Sequence, residues 1–110
     1  MMNPIKGVTN LREIAIDHVA TVLDRGAVVV DVREPTEFRE GHLPGAVNIP
    51  MGQLTARLDE IDRARPVYVV CASGNRSSAM VDVLTAAGYE ATNVAGGTSA
   101  WIRAGRQIEQ

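Results

Sequence analysis

The chain has 110 residues, 45% of them hydrophobic, which is enough for one compact domain with a single core and too little for two. Eleven basic and 13 acidic residues give a formal charge of -2, a balance that argues against nucleic acid or an anionic membrane as partner. The single cysteine excludes an internal disulfide, and no stretch reads as a signal peptide, a membrane span or a zinc motif. We therefore expect a cytoplasmic protein without a metal or a dissociable cofactor.

The first segment of the chain predicts a lead-in, a strand and a helix. Residues 1–10 show no hydrophobic periodicity, and we expect them to be extended. Residues 11–16 predict a short edge strand. Asp17 is the predicted N-cap of the helix that follows, because its short side chain can accept hydrogen bonds from free backbone N–H groups. Gly26 is predicted to end that helix.

A second strand is predicted where residues 27–30 form an unbroken apolar run. Asp31 and Arg33 follow, so charge appears where this strand reaches its carboxyl end. Pro35 suits the first position of a short helix that includes Glu37. We expect Arg33 and Glu37 to pair, and the three charged residues to form a polar network that fixes this connection.

The middle of the chain predicts a turn, a brief strand and a helix. His42 is expected to pack or to hydrogen-bond within the turn rather than to act as an acid or base. Residues 46–49 predict a short strand. Leu54, Leu58 and Ile61 recur at the spacing i, i+4, i+7, which predicts a helix with a solvated charged side.

The most informative stretch begins with the apolar residues 67–70, which predict a strand buried on both faces. This strand stops at Cys71, and from Ser77 the pattern becomes helical until Gly88 ends it. The thiol therefore lies between a strand and a helix N-terminus, the position where open α/β sheets bind ligands and where free N–H groups favour anions. A cysteine in such a place, taken alone, is more often a small buried hydrophobe.

The residues after the cysteine favour a reactive thiol instead. Gly74 permits a tight turn, Arg76 adds a permanent charge, and Ser77 and Ser78 are candidate helix caps. A loop of this length can direct its N–H groups toward the sulfur and form a cradle for an anion. The predicted site consists of Cys71, Ala72, Ser73, Gly74, Asn75, Arg76 and Ser77.

The last segment predicts a strand at residues 89–94, a sharp turn at Gly96 and Gly97, and a helix that includes Trp101 as a core anchor. Strands and helices thus alternate along the whole chain. This order predicts an α/β fold with a parallel sheet.

Four motifs together resemble the single-domain rhodaneses, which are thiosulfate-type sulfurtransferases. They are DVREPTEF, GHLPGAVNIP, CASGNRS and GGTSAW, at residues 31–38, 41–50, 71–77 and 96–101. The likeness runs from about residue 17 to residue 108. It implies one rhodanese domain over residues 1–110, with three layers and helices on both faces of a central parallel sheet.

The resemblance also implies a chemistry. Cys71 would take a sulfane sulfur from a small donor such as thiosulfate, hold it as a persulfide, and pass it to a thiophilic acceptor such as cyanide, a thiol or a thiol protein. Asp31, Arg33 and Glu37 match residues thought to support the cysteine loop in rhodaneses, and Trp101 would lie near the rim of the site.

Two other functions stay open. Some rhodanese-like domains are non-catalytic, so the chain could be a slow persulfide carrier or a partner-binding module. Relatives with phosphatase or arsenate reductase activity also exist, but cysteine phosphatases place five residues between the cysteine and the arginine, where this chain has the four residues 72–75. Several thiosulfate-using rhodaneses carry a basic residue after the cysteine. Here Ala72 and Ser73 stand there, which favours a protein persulfide as donor.

Overall fold

The computed structural model describes residues 12–110, so the predicted lead-in at residues 1–10 lies outside the described residues, as does Leu11. In this described part of the chain, five strands form one sheet in the order β1-β5-β4-β2-β3, and every neighbouring pair is parallel. The predicted parallel α/β sheet is therefore confirmed. The strands are β1 (Glu13–Ile14), β2 (Val28–Asp31), β3 (Val47–Asn48), β4 (Val67–Val70) and β5 (Ala91–Val94).

Within residues 12–110, four α-helices connect and cover the strands. They are α1 (Val19–Asp24), α2 (Pro35–Glu40), α3 (Asn75–Ala86) and α4 (Gly97–Arg103). Short 3-10 turns add to them at Ile16–His18, Met51–Gln53 and Thr55–Glu60. Within residues 12–110 no helix has both the length and the apolar character that crossing a bilayer requires.

Two apolar clusters pack against the opposite faces of the sheet. Side chains alternate along a strand, so β4 supplies Val67 and Val69 to one cluster and Val70 to the other. The first cluster packs under α3 through Val81 and Leu84. The second packs under α1 and α4 and includes Val19, Val29, Leu43, Val94 and Trp101. Helices on both faces give the three layers that the resemblance implies.

The segment around Leu54, Leu58 and Ile61 is not the predicted α-helix. It forms 3-10 turns, and Arg57 leaves helical geometry with φ -122°. Leu54 and Ile61 are nevertheless buried, because hydrophobic burial fixes where these side chains point without fixing the hydrogen-bond pattern between them.

The predicted N-cap at Asp17 is also wrong. A 3-10 turn precedes α1, so Asp17 lies inside that turn and accepts from Arg106 Nη2 at 2.7 Å. The short helix α2 begins at Pro35 as predicted. Glu34 forms its cap, since its backbone N–H donates to Glu37 Oε1 at 2.9 Å in a reciprocal capping box.

Candidate active site

Cys71 follows the last residue of the central strand β4, at the carboxyl edge of the sheet. It contributes to the apolar cluster beneath α3, and the residue is 1% exposed. The residue that the sequence predicts to be a reactive thiol is therefore buried. The strand runs into the core up to this residue, and the loop that follows folds back over it.

The Cys71 sulfur receives hydrogen bonds from the loop. The backbone N–H of Gly74 donates to Sγ at 3.1 Å, and Ser77 Oγ lies 3.3 Å from Sγ. Burial raises the pKa of the thiol, but the Ser77 hydroxyl and the backbone amides of Ser77, Gly74 and Ser73 together outweigh burial and lower the pKa below its usual value. The donors around the sulfur therefore stabilise the thiolate form by more than burial destabilises it.

The start of α3 explains this geometry. Gly74 precedes the helix with φ +108°, a conformation that a residue with a Cβ adopts only under strain. No side chain caps the helix by a hydrogen bond, so Ser77 and Ser78 are not the predicted caps. Ser77 instead lies within the first turn and points to the sulfur. The Cys71 sulfur thus occupies the place of a capping oxygen, near the positive end of the helix dipole.

The N-terminus of α4 also positions the cysteine loop. The backbone N–H groups of Thr98 and Ser99, in α4, donate to the carbonyl oxygens of Cys71 and Ala72 at 2.8 and 2.9 Å. Gly97 makes this approach possible, since a Cβ there would lie 2.2 Å from the Cys71 carbonyl oxygen. The predicted turn at Gly96 and Gly97 is confirmed. The sequence did not show that Gly97 must also lack a Cβ so that α4 can approach the Cys71 backbone.

Arg76 forms an ion pair with Glu37. Its Nη1 and Nη2 atoms donate to the two carboxylate oxygens at 2.9 and 3.0 Å. The predicted pairing of Arg33 with Glu37 is therefore wrong. The Arg76 guanidinium, with help from the Glu34 N–H, lowers the pKa of Glu37 to about 2. This pair joins α2 to the first turn of α3, directly beside the loop.

This ion pair gives the protein an acid-dependent stability. The folded pKa of Glu37, about 2, lies below the ordinary value of 4.5, so pairing stabilises the fold above pH 4.5 and is lost as pH falls toward 2. We expect a modest effect, because each side chain is 34% exposed. In urea titrations at several pH values, the free energy of unfolding of Glu37→Gln should fall less steeply across this window than that of the unchanged protein.

Glu90→Gln is the matched control for this measurement, because Glu90 is exposed and takes part in none of the ion pairs within residues 12–110. It should keep the parent's slope against pH. A Glu37→Gln slope equal to the parent's would contradict the assignment.

Asp31 and Arg33 form a separate buried network. Arg33 Nη2 and Nε donate to Asp31 Oδ2 at 2.9 and 3.1 Å, and Nη2 also donates to the Gly41 carbonyl at 2.8 Å. Asn48 Nδ2 closes the network by donating to the carbonyl oxygens of Asp31 and Arg33. The prediction that charged residues fix this connection is confirmed for this pair, which joins β2, β3 and the end of α2.

Asn93 also belongs to the candidate site, although the sequence pattern did not predict it. It lies in β5, beside β4, and its Oδ1 accepts from Ser77 Oγ at 2.5 Å while its Nδ2 donates to the Gly74 carbonyl at 3.3 Å. The available signal was a polar residue near the carboxyl end of a strand adjacent to the cysteine strand. Parallel strands end at one edge, which brings the two residues together.

The remaining predicted residues lie around this centre. Ala72 is half-buried, and Ser73 and Asn75 are exposed. His42 packs as predicted: its ring stacks on Phe38, and its Nδ1 lies 2.7 Å from the Phe38 carbonyl oxygen. Trp101 is buried in the second apolar cluster as a core anchor. No group of three or more His, Cys, Asp or Glu side chains within residues 12–110 is arranged to hold a metal ion.

The comparisons with known proteins all point to one family. The family model of the rhodanese-like domain matches residues 16–104. Bacillus subtilis YqhL is 44% identical over 78 residues, which are 70% of this chain and 62% of YqhL, so the match spans less than two thirds of that relative. The thiosulfate sulfurtransferase GlpE of Pseudomonas syringae is 30% identical over 95 residues, 86% of this chain and 90% of GlpE.

A solved structure supports the same assignment. The crystal structure of a rhodanese-related protein from Thermoplasma volcanium matches with a TM-score of 0.83 at 33% identity. The match covers 89% of this chain and 97% of the other. The three-layer arrangement described above is therefore the fold of that protein as well.

Proposed function

Because the chain belongs to the family of rhodanese-like domains, we propose that it is a sulfurtransferase that carries a sulfane sulfur as a persulfide on Cys71. One observation supports this function best. The sulfur of the only cysteine receives the Gly74 N–H and faces the Ser77 hydroxyl at the N-terminus of α3. A negative charge on this sulfur, or on a sulfur bound to it, is stabilised by the Gly74 N–H, which already points to it, and by the Ser77 hydroxyl beside it.

The proposed reaction has two steps. The Cys71 thiolate attacks the outer sulfur of thiosulfate, the sulfur–sulfur bond of the donor breaks, and sulfite leaves with the electron pair. Cyanide or a thiolate then attacks the outer sulfur of the persulfide, and Cys71 leaves as a thiolate. Neither step requires the nucleophile to lose a proton during the reaction, and the covalent intermediate requires ping-pong kinetics.

The burial of Cys71 constrains how a donor reaches it. With the residue 1% exposed, a donor sulfur makes contact only when residues of the loop move aside. Such a loop suits a donor that binds the surrounding surface and opens the loop as it binds. This supports a protein persulfide as the physiological donor, with thiosulfate as a slower substitute, and agrees with Ala72 and Ser73 standing where a basic side chain would attract thiosulfate.

The same burial supports a second candidate, a sulfur carrier that accepts sulfur but turns over slowly with small acceptors. The two functions differ in rate rather than in intermediate. Both require the thiol to stay reduced between cycles, which fits the reducing conditions of a cytoplasm.

Arg76 is proposed to attract the anionic donor while Glu37 holds its guanidinium in position. A hydrogen bond to a charged group contributes about 1.5–3 kcal/mol, so Arg76→Ala should lower kcat/KM for thiosulfate by about tenfold or more. Alkylation of Cys71 by the neutral reagent iodoacetamide should change less. Arg57→Ala, which removes an exposed guanidinium paired with Glu60, is the control and should change neither rate. Equal losses in transfer and alkylation would assign Arg76 to thiol activation instead.

The function is tested by incubating the protein with thiosulfate and cyanide and following thiocyanate and sulfite. We expect ping-pong kinetics, with both products absent when Cys71→Ser is used. A carrier would release sulfite stoichiometrically and form thiocyanate only slowly. Release of phosphate from an aryl phosphate, without sulfite from thiosulfate, would contradict the proposal and favour a phosphatase.

A further inference from the structure

The side-chain amide of Asn93 has a fixed orientation. Its Nδ2 lies 3.3 Å from the Gly74 carbonyl oxygen and 3.2 Å from Glu13 Oε2. Both of these atoms only accept hydrogen bonds, so the nitrogen must face them and Oδ1 must face Ser77. The oxygen of Asn93 therefore accepts the Ser77 hydroxyl at 2.5 Å, and Asn93 itself is 4% exposed.

Ser77 carries a single hydroxyl proton and has two acceptors for it. Asn93 Oδ1 lies 2.5 Å away and Cys71 Sγ lies 3.3 Å away, so the amide holds the proton while Cys71 is a neutral thiol. An ionised acceptor forms a hydrogen bond about twice as strong as a neutral one. When Cys71 ionises, the proton turns to the sulfur and leaves a buried amide oxygen without its donor.

We infer that Asn93 is a positioning residue that competes with the Cys71 sulfur for the Ser77 proton and so restrains how readily the nucleophile forms. The inference rests on the proposed function, in which the Cys71 thiolate starts the reaction. It extends the site to β5. It also gives Ser77 two states: bonded to Asn93 when the sulfur is neutral, and bonded to the sulfur when it is charged.

Other charged groups also surround the loop. Arg76 of α3 lies on one side, paired with Glu37 of α2, and Asp31 of β2 is paired with Arg33. Glu13 of β1 lies behind Asn93. These charges act on the sulfur without involving the Ser77 hydroxyl. Comparing Asn93 variants with and without that hydroxyl therefore separates the effect of the charges from the effect of competition for the Ser77 proton.

Asn93→Leu is the informative substitution, because leucine has nearly the shape of asparagine and no polar atoms. The Gly74 carbonyl keeps the Ser78 N–H as a donor at 3.1 Å. Glu13 is exposed, so water replaces its lost partner. The loop therefore retains its backbone support, and the Ser77 proton becomes free for the sulfur.

The test is a double-mutant cycle on the pKa of Cys71, with Asn93→Leu and Ser77→Ala made singly and together. The chain has one cysteine, so the pH dependence of iodoacetamide alkylation and of thiolate absorbance reports this residue alone. Asn93→Leu should lower the pKa by about half a unit to one unit, the worth of one neutral hydrogen bond. Ser77→Ala should raise the pKa, and adding Asn93→Leu to it should change nothing further.

Three results would overturn the inference: no change in pKa with Asn93→Leu, a rise, or the same change in both Ser77 backgrounds. If the leucine variant does not fold, Asn93→Val, which suits a strand, is compared in the same cycle. Transfer from thiosulfate is not part of this readout. Failure of the proposed function would therefore appear as an absent persulfide in the unchanged protein, whatever the cycle gives.

Discussion

Gly97→Ala is expected to abolish most sulfur transfer and to destabilise the fold. The new Cβ would lie 2.2 Å from the Cys71 carbonyl oxygen and 2.8 Å from that of Ala72, and φ at this residue is +57°. The left-handed backbone costs a non-glycine residue about 1 kcal/mol or more, and displacing well-packed neighbours costs typically about 1–3 kcal/mol. The neighbour that must move is the backbone of Cys71 itself.

The consequence for activity should exceed the consequence for stability. Moving Cys71 withdraws its sulfur from the Gly74 N–H, and a displacement of about 1 Å can lower a rate by about a hundredfold. We expect kcat/KM for transfer to fall by about that factor, while urea unfolding registers a loss of about 2–4 kcal/mol.

Gly26→Ala is the matched control for this substitution. Gly26 has φ +86°, but a Cβ there meets nothing within 4 Å. It should show the cost of left-handed backbone alone, with transfer unchanged. If Gly97→Ala behaved like Gly26→Ala in both measurements, the close approach of α4 to Cys71 would have no part in shaping the site.

Arg33→Met should produce the largest loss of stability away from the cysteine loop. Asp31 is 0% exposed, and Arg33 is the only basic side chain in an ion pair with it within residues 12–110. Removing one partner of a buried pair leaves an uncompensated charge and costs about 3–5 kcal/mol. The Gly41 carbonyl also loses its donor. Urea unfolding monitored by Trp101 fluorescence measures the effect.

Two comparisons make this prediction specific. Arg57→Met removes one partner of a solvent-exposed pair, and we expect it to leave the free energy of unfolding nearly unchanged. Adding Asp31→Asn to Arg33→Met removes the stranded charge and should recover part of the loss. If Arg33→Met cost no more than Arg57→Met, the buried network would not stabilise the connection between β2 and α2.

The fold was predictable from the sequence because its signals are local. The apolar run at residues 67–70 matches the bounds of β4, since a strand buried on both faces needs apolar side chains at every position. Pro35 marked the start of α2 for a similar reason, because its fixed φ suits a first helical turn. The apolar pattern correctly predicted that Leu54 and Ile61 are buried, but it did not predict the 3-10 geometry between them.

The site was predictable only in part because its contacts join distant segments. Cys71 and its loop are contiguous, so their position at a helix start follows from the sequence pattern. The partner of Arg76, by contrast, is Glu37, which is 39 positions away in the chain. Arg33 lies much closer to Glu37 in the sequence, and the pattern therefore predicted the wrong partner. Asn93 reaches Ser77 only because β5 lies beside β4, a neighbour relation that periodicity does not contain.

The most direct measurement is the intact mass of the protein after incubation with a sulfane-sulfur donor. We expect a gain of one sulfur atom on Cys71, which is lost on addition of a thiol or cyanide and is absent in Cys71→Ser. A protein that gains no sulfur from thiosulfate or from a protein persulfide, although its thiol is reduced, would contradict the claim that the donors around Cys71 serve to hold a transferred sulfur.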